Sequence, residues 1–365
     1  MKNWKRLLAL PLSLALTVSL CACGPAGGDE TAPPDPDASI EVDLTQDAVT
    51  FASGLSGDEI LLTVNGEDVP ANLFLYLLFM DCYNFEYHYY SYYGITVADF
   101  AGRLLEDAVD MTVYNVLLRQ RAAELGCALT DEQRAEIEAG RTGENQTAYE
   151  QYKAAFGLTG ETMDFISALD FYSDNLLSTI PAPTEEELNG YVYQVKHILL
   201  KTVDDNYEPL PDDEIAAQRA LAEDILARLQ AVEGEEQRSL FDELMNEFSE
   251  DPGLAAYPDG YEYTVQDSLV DGFTDAALAL DFGEVSGIVE TDYGYHIMLR
   301  GKVTDPESYA DDCRAYQMDR ELKALAETVA VTRASALDTL DVAAFYSRYI
   351  AYHDAYLAQN EDAVG

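Results

Sequence analysis

Two histidines of this chain lie inside short apolar stretches that have the composition of β-strands. His197 stands in V-K-H-I-L-L (residues 195–200), and His296 stands in G-Y-H-I-M-L (residues 294–299). A histidine in such a place is either a core residue whose polar atoms are satisfied, or part of a site whose polar geometry it holds. Each histidine by itself leaves both interpretations open.

The elements that must position these histidines lie in the middle of the chain, at residues 191–303. There, β-branched and aromatic runs alternate with helical patterns, one near 213–232 and a second leading into residue 248, as in an α+β domain. Pro181 and Pro183 stop the preceding helical pattern and indicate a domain boundary.

Helical patterns occupy the chain on both sides of this block. Residues 59–180 begin with a short strand and an Asn65-Gly66 turn, followed by helices. Residues 304–360 return to helix, with a short strand pattern within 329–338. We therefore predict that 304–360 packs on 59–180, and that the middle domain is inserted into one discontinuous, mainly α-helical domain.

The N-terminus has the pattern of a secretory signal. Residues 1–6 are basic, residues 7–20 are apolar and too short to span a membrane, and Ala22-Cys23 follows. This arrangement resembles a bacterial lipobox, which implies a signal peptide at 1–22 and lipidation of Cys23; an ordinary cleaved signal is the alternative. Residues 23–58 are rich in Gly, Pro and acids, and we expect them to form a flexible tether.

The remaining cysteines, Cys82, Cys127 and Cys313, are widely spaced and odd in number. They show no C-x-x-C spacing, so they give no indication of a metal site. We expect them to be free thiols buried on helices.

The charge of the chain excludes several classes of partner. The chain has 68 Asp and Glu against 21 Lys and Arg, a net charge of −47 over 365 residues. Nucleic-acid binding requires clustered basic residues, so we expect no nucleic-acid partner, and the same charge opposes docking on anionic lipid. Hydrophobic residues make up 48% of the chain, which is enough for sizeable cores.

The succession of motifs in the middle block resembles the parvulin family of peptidyl-prolyl cis–trans isomerases. H-I-L-L at 197–200, G-E-V-S-G at 283–287 and Y-G-Y-H-I at 293–297 occur in the order and spacing of that family. The resemblance implies an α+β parvulin domain with an antiparallel four-stranded sheet and surrounding helices. With the lipobox and the flanking helices, the whole chain is similar to PrsA-type foldase lipoproteins, whose helical part is SurA- and trigger-factor-like.

The resemblance assigns the parts of the site residue by residue. His197 and His296 would be the paired catalytic histidines, Asp251 would face the substrate carbonyl, and Thr291 would join the histidine network. Leu269, Val270 and Phe273 would bind the substrate proline. The family uses no metal and no cofactor.

Two departures from the family pattern stand out. The family has the segment Gly-Gly-x-Leu-Gly-x-Phe where this chain has Y-P-D-G-Y-E-Y at 257–263. We expect this difference to reshape one wall of the pocket. The loop 201–213 has five acids and only Lys201 as a basic residue, which excludes the phosphate preference of some parvulins.

An aromatic cluster marks the N-terminal helical block. Seven of the eleven residues 83–93 are aromatic: Tyr83, Phe85, Tyr87, Tyr89, Tyr90, Tyr92 and Tyr93. Two interpretations are open, a core packed from both sides and an adaptable surface for unfolded proteins.

The function that these features favour is that of a foldase fixed by lipid to the extracytoplasmic side of a bacterial cell membrane. It would accelerate isomerisation of X–Pro bonds in unfolded or partly folded secreted proteins and hold them as a chaperone. The alternatives are a holdase with an inactive parvulin domain and, less favoured, a solute-binding lipoprotein. The identity of the clients, the residue preferred before proline and the oligomeric state are left undetermined.

Overall fold

The computed structural model describes residues 40–360, apart from residues 268 and 271 and from the side chains of residues 90–93. The predicted signal peptide, the lipidation site Cys23 and the first part of the tether lie outside the described residues. No helix within the described part of the chain has the length and apolar character needed to cross a membrane.

The chain forms two compact units. In chain order the helices are α1 (Ala48–Ser53), α2 (Ala71–Tyr93), α3 (Val97–Glu124), α4 (Asp131–Arg141), α5 (Gln146–Ala155), α6 (Gly160–Leu177), α7 (Glu185–Tyr191), α8 (Asp212–Gln230), α9 (Gly234–Phe248), α10 (Phe273–Leu278), α11 (Ala310–Ala326) and α12 (Val342–Asn360). The strands are β1 (Ile60–Val64), β2 (Glu67–Pro70), β3 (Val192–Lys201), β4 (Tyr261–Thr264), β5 (Val289–Thr291), β6 (Gly294–Gly301) and β7 (Val331–Arg333).

The helical unit is discontinuous in sequence. It combines the described residues up to Ile180 with those from Gln317 onward, so that α12 packs with α1, α2, α3 and α5. A small antiparallel sheet of order β2-β1-β7 joins the two segments, with Leu62 opposite Arg333. A single apolar cluster draws residues from both segments, and its Tyr349 is fully buried.

The described end of the predicted tether is structured, which corrects its C-terminal boundary. Helix α1 begins after Asp47, whose side chain accepts a hydrogen bond from the Thr50 amide, and it ends at Gly54 in the left-handed conformation. Ala48, Val49 and Ala52 are buried in the core of the helical unit. This short capped helix was not predicted, because the acidic composition of the segment is typical of a flexible linker.

The inserted unit spans residues 181–316 and contains an antiparallel sheet of order β4-β3-β6-β5. Alternate residues of the central strands face opposite sides. One side packs on α8 and α9, and the other side packs on α10. The predicted α+β fold, with an antiparallel four-stranded sheet inserted in a helical unit, is confirmed.

One glycine at the β5–β6 turn is required by the sheet itself. Gly294 has φ +144° and lies against strand β3, where a Cβ would collide with the carbonyl of Leu200. Glycine here allows β6 to begin beside the end of β3, which fixes the register of His296.

The aromatic segment contributes both to the core and to the surface. Phe85 is buried and stacks on Tyr89, with ring centroids 4.9 Å apart. Tyr83 and Tyr87 are 49% and 69% exposed. Phe85 thus belongs to the core, whereas Tyr83 and Tyr87 lie at the surface, where the second interpretation stays a prediction.

The cysteines beyond residue 58 are free, as expected. Cys82 and Cys313 are buried on helices α2 and α11. Cys127 differs from the expectation because it lies after the end of α3 and is only half-buried.

Candidate active site

The two histidines lie next to each other on the central strands. Leu199 of β3 pairs with His296 of β6, and His197 pairs with Met298, so His197 and His296 are diagonal neighbours on one face. Their ring centroids are 5.3 Å apart. Antiparallel pairing thus joins two motifs that are about a hundred residues apart in sequence.

Both imidazoles are buried and neutral at neutral pH. Burial lowers the pKa of His197, and the carboxylate of Asp251 opposes this only in part. Burial, with His197 as a further cause, lowers the pKa of His296 to about 3. Neutral imidazoles leave Asp251 as the charged group beside the pair.

The imidazoles are held by different neighbours and not by each other. His296 Nε2 lies 2.9 Å from the hydroxyl of Thr291 on the adjacent strand β5. The Nδ1 atoms of both rings are buried and have no hydrogen-bond partner among the described residues. The nearest charged atom to His197 is Oδ2 of Asp251, 3.7 Å from Nε2.

The segment that carries Asp251 is tied to strand β3. The amide of Glu250 donates to the carbonyl of Leu199 at 2.8 Å, and the amide of Leu199 donates to the hydroxyl of Ser249 at 3.1 Å. The amide of Gly253 donates to Oδ1 of Asp251 at 3.0 Å. These bonds fix the carboxylate relative to His197.

Tyr261 completes the polar side of the site and was not predicted from the sequence. Its hydroxyl donates to Oδ2 of Asp251 at 2.6 Å, and its ring stacks at 5.8 Å on His197. Burial and the hydrogen bond to Asp251 hold the pKa of Tyr261 well above its ordinary value, so the hydroxyl keeps its proton. The alternation Tyr-Glu-Tyr at 261–263 was the available signal, because it places both tyrosines on one face of β4.

The apolar side of the site is formed by α10 and the segment before it. Phe273 is 4% exposed and meets both imidazoles edge to face, at 5.3 Å from His197 and 5.4 Å from His296. Leu269 and Val270 are partly buried in the same apolar cluster. The structure therefore brings together all seven predicted site residues within the inserted unit.

This arrangement suits a reaction that needs no nucleophile. Its elements are a fixed carboxylate, two neutral imidazoles and the apolar surface of Phe273, Leu269 and Val270. Among the described residues, no group of three or more His, Cys, Asp or Glu could hold a metal ion.

The loop after β3 has little positive charge to offer a ligand. Lys201 Nζ lies 3.9 Å from the carboxylate of Asp205. Tyr207 of this loop is 69% exposed and faces Tyr293, with ring centroids 5.7 Å apart.

Comparison with known proteins finds a family profile that matches within the inserted unit. Residues 184–307 match the family profile of the PPIC-type PPIase domain. All seven predicted site residues lie within these bounds.

Two of the relatives that match carry the name foldase protein PrsA. Over 108 residues the chain is 37% identical to the foldase protein PrsA of Geobacillus kaustophilus, covering 30% of this chain and 36% of the relative. Over 216 residues it is 24% identical to the foldase protein PrsA of Staphylococcus epidermidis, covering 58% of this chain and 64% of the relative. The chain thus spans less than two thirds of the length of these relatives.

A solved structure of PrsA from Bacillus cereus aligns with 83% of this chain and 93% of its own. The sequence identity is 17% and the TM-score is 0.32, which is too low to relate the two overall arrangements.

Proposed function

We propose that this chain, whose residues 184–307 form a PPIC-type domain of the parvulin family, accelerates cis–trans isomerisation of X–Pro bonds. The observation that supports this most is the placement of the Asp251 carboxylate beside two neutral histidines, next to the apolar surface of Phe273. In this arrangement the Asp251 carboxylate would act on the carbonyl oxygen of the X–Pro bond, and Phe273 would contact the proline ring of the same bond.

The chemistry follows from the electronic structure of the amide. Rotation about the bond has a barrier of about 18–20 kcal/mol, because resonance gives the C–N bond double-bond character and places negative charge on the oxygen. Twisting removes part of that charge. A carboxylate held near the oxygen therefore disfavours the planar forms more than the twisted one, and this difference lowers the barrier.

The apolar residues hold the other side of the same bond. Phe273, with Leu269 and Val270, would bind the proline ring and exclude water from the carbonyl. Phe273 also covers both imidazoles, which keeps the site dry and the histidines neutral.

Client binding belongs to the helical unit in this proposal. Tyr83 and Tyr87 expose aromatic faces with polar tips on α2, which suits contacts with unfolded chains of varied sequence. The same observation favours the second candidate function, a holdase whose PPIC-type domain binds without catalysis.

The proposed setting is the extracytoplasmic face of a bacterial membrane, where the substrates would be secreted proteins. It rests on the N-terminal sequence pattern and Cys23. Labelled-lipid incorporation tests it: a Cys23→Ala variant should lose the label, and unchanged labelling would refute this anchor site.

A protease-coupled isomerisation assay on short X–Pro peptides separates the two candidate functions. We expect the full chain to accelerate the exchange, and Asp251→Ala to reduce the rate constant by about 100-fold, the loss typical of removing one preorganised electrostatic group. Glu262→Ala, an exposed acid on the same strand as Tyr261, is the control and should keep its activity.

The holdase alternative has its own outcome in these measurements. If the wild-type chain matches buffer alone in the isomerase assay but suppresses aggregation of a reduced client, the enzymatic proposal fails. If it does neither, both candidate functions fail.

A further inference from the structure

Arg300 is a buried cation for which the described residues provide no counter-charge. It lies on β6, on the same face as His296, two residues beyond Met298. It is 4% exposed and, among the lysines and arginines that the structure describes, it alone is fully buried. Its guanidinium lies over the rings of Tyr193 and Phe282, 5.3 and 5.7 Å from their centroids.

The hydrogen bonds of Arg300 leave donors unused. Nη1 donates to the carbonyl of Ala277 at 3.3 Å, and Nη2 donates to the carbonyl of Asn189 at 3.0 Å. Nε is buried and has no hydrogen-bond partner among the described residues, none of whose carboxylates forms an ion pair with Arg300. An arginine stays protonated in a protein, so this is a buried positive charge.

The lack of a carboxylate partner is notable in so acidic a chain, where acids outnumber bases by 68 to 21. Other arginines are paired, such as Arg333 with Glu106 at 2.8 Å and Arg141 with Asp164 at 2.6 Å. Burial of an unpaired charge is costly, and a bound anion would offset that cost.

A cavity of about 630 Å³ adjoins this residue within the inserted unit. Arg300 lines it together with Leu278, Leu280 and Phe282 and with five residues of the segment 184–190. Its volume lies in the range of small-molecule sites, and its walls combine apolar side chains, one buried cation and three acidic residues.

The chemistry of the walls selects the class of anion. Arginine presents parallel N–H donors that match the two oxygens of a carboxylate. Glu185, Glu186 and Asp281 also line the cavity and would repel a doubly charged phosphate more strongly than a singly charged carboxylate. The leucines and Phe282 suit an apolar group attached to that carboxylate.

We propose that the cavity beside Arg300 is a binding site for a monocarboxylate with an apolar substituent. Such a group is found in a free small acid and at the C-terminus of a peptide that ends in an apolar residue. The site is separate from the proposed isomerase site and does not depend on isomerase activity.

Calorimetric titration of the full chain tests this site. The probes are N-acetyl-leucine, its uncharged amide, inorganic phosphate, and an apolar pentapeptide with a free or an amidated C-terminus. We expect the acid to bind at least about tenfold more tightly than the amide, because a hydrogen bond to a charged group is lost in the amide. Tighter binding of the free-acid peptide than of N-acetyl-leucine identifies a chain terminus as the source, and equal binding identifies a small acid.

Two variants locate the binding. Arg300→Gln should abolish the preference for the acid. Gly190→Leu keeps Arg300 and should block the cavity: residue 190 is helical, and a Cβ there meets no other atom within 4 Å, so the variant is expected to fold. Gly140→Leu, at an equally open glycine of α4, is the matched control and should bind like the wild type.

Three results would overturn the proposal. They are equal affinity for the acid and the amide, tighter binding of phosphate than of the carboxylate, and unchanged affinity in Gly190→Leu. The measurement on Gly190→Leu tests the proposal even if the Arg300→Gln variant fails to fold.

Discussion

Tyr261 lies in the candidate site, although the family resemblance does not assign it a role there. It stands in the segment that departs from the family, and its hydroxyl donates to the same Asp251 oxygen that faces His197. The ring also stacks on Tyr263, with centroids 5.5 Å apart, so the hydroxyl is held by packing on both sides. Tyr261 thus acts through Asp251 as a positioning residue.

This role predicts a specific kinetic effect of Tyr261→Phe. The ring contacts stay, but the carboxylate loses the bond that orients it, so kcat should fall by about 3- to 30-fold while KM changes little. Peptide isomerisation assays measure both constants. Tyr257→Phe, in the same aromatic group but without a bond to Asp251, is the control, and an equal loss in both variants would contradict the role.

The histidine pair predicts how stability depends on pH. The pKa of each imidazole is lowered on folding, so below pH 6.5 the unfolded chain binds more protons than the folded chain. The contribution of the neutral pair is complete above pH 6.5 and is lost as the pH falls toward 3. The free energy of unfolding should fall over this window by at most about 1.4 kcal/mol per pH unit for each histidine.

Hydrogen exchange of the amides in β3 and β6, measured between pH 4 and 7 and corrected for intrinsic rates, checks this effect. The His296→Gln variant should show a shallower pH dependence than the wild type. Identical slopes would mean that His296 does not titrate differently in the two states.

At the scale of elements, helix α2 contains a second buried titratable group, unrelated to the candidate site. Asp81 has a buried Oδ2 without a hydrogen-bond partner among the described residues. Burial, with the nearby Asp107 as a further cause, raises its pKa to about 7. The folded chain therefore binds more protons than the unfolded chain between about pH 4 and pH 7, and this site loses stability as the pH rises through that window.

Asp81→Asn should remove this penalty. We expect the free energy of unfolding to rise by about 1–3 kcal/mol at pH 8 and to change little at pH 4.5, where Asp81 is protonated in the folded chain. Urea denaturation followed by circular dichroism at both pH values measures the difference. Asp174→Asn, at an exposed position of α6, is the control, and a gain in Asp81→Asn that is equal at both pH values would contradict the titration.

At the scale of the whole molecule, the two units have separate cores. The inserted unit has apolar clusters on both faces of its sheet, and these clusters contain no residue of the helical unit. A unit with its own core is expected to fold alone.

The separation predicts a division of activities. A fragment of residues 181–316 should fold and isomerise short peptides at a rate close to that of the full chain, but it should lose the suppression of client aggregation. Circular dichroism, the peptide assay and light scattering measure these properties. An active full chain with a folded but inactive fragment would show that the site needs the helical unit.

The sequence by itself determined the fold class and predicted which residues form the candidate site. Strand and helix periodicity are local properties, so helix α8, predicted near 213–232, was found close to its observed bounds of Asp212–Gln230. The histidine motifs and the G-E-V-S-G turn carry the family resemblance, and that resemblance predicted seven site residues that the structure places in the inserted unit. The short helix α1 was missed because its composition is that of a linker.

Only the tertiary structure decided which atoms meet. That Thr291 contacts His296, that Tyr261 donates to Asp251 and that the two imidazoles do not bond to each other all depend on strand register and side-chain direction. The exposure of Arg300 could not be read from L-R-G-K at 299–302, because an arginine at the end of a strand is usually at the surface. Its burial follows from α10 and α7, which cover that end of the sheet and contribute its two carbonyl partners.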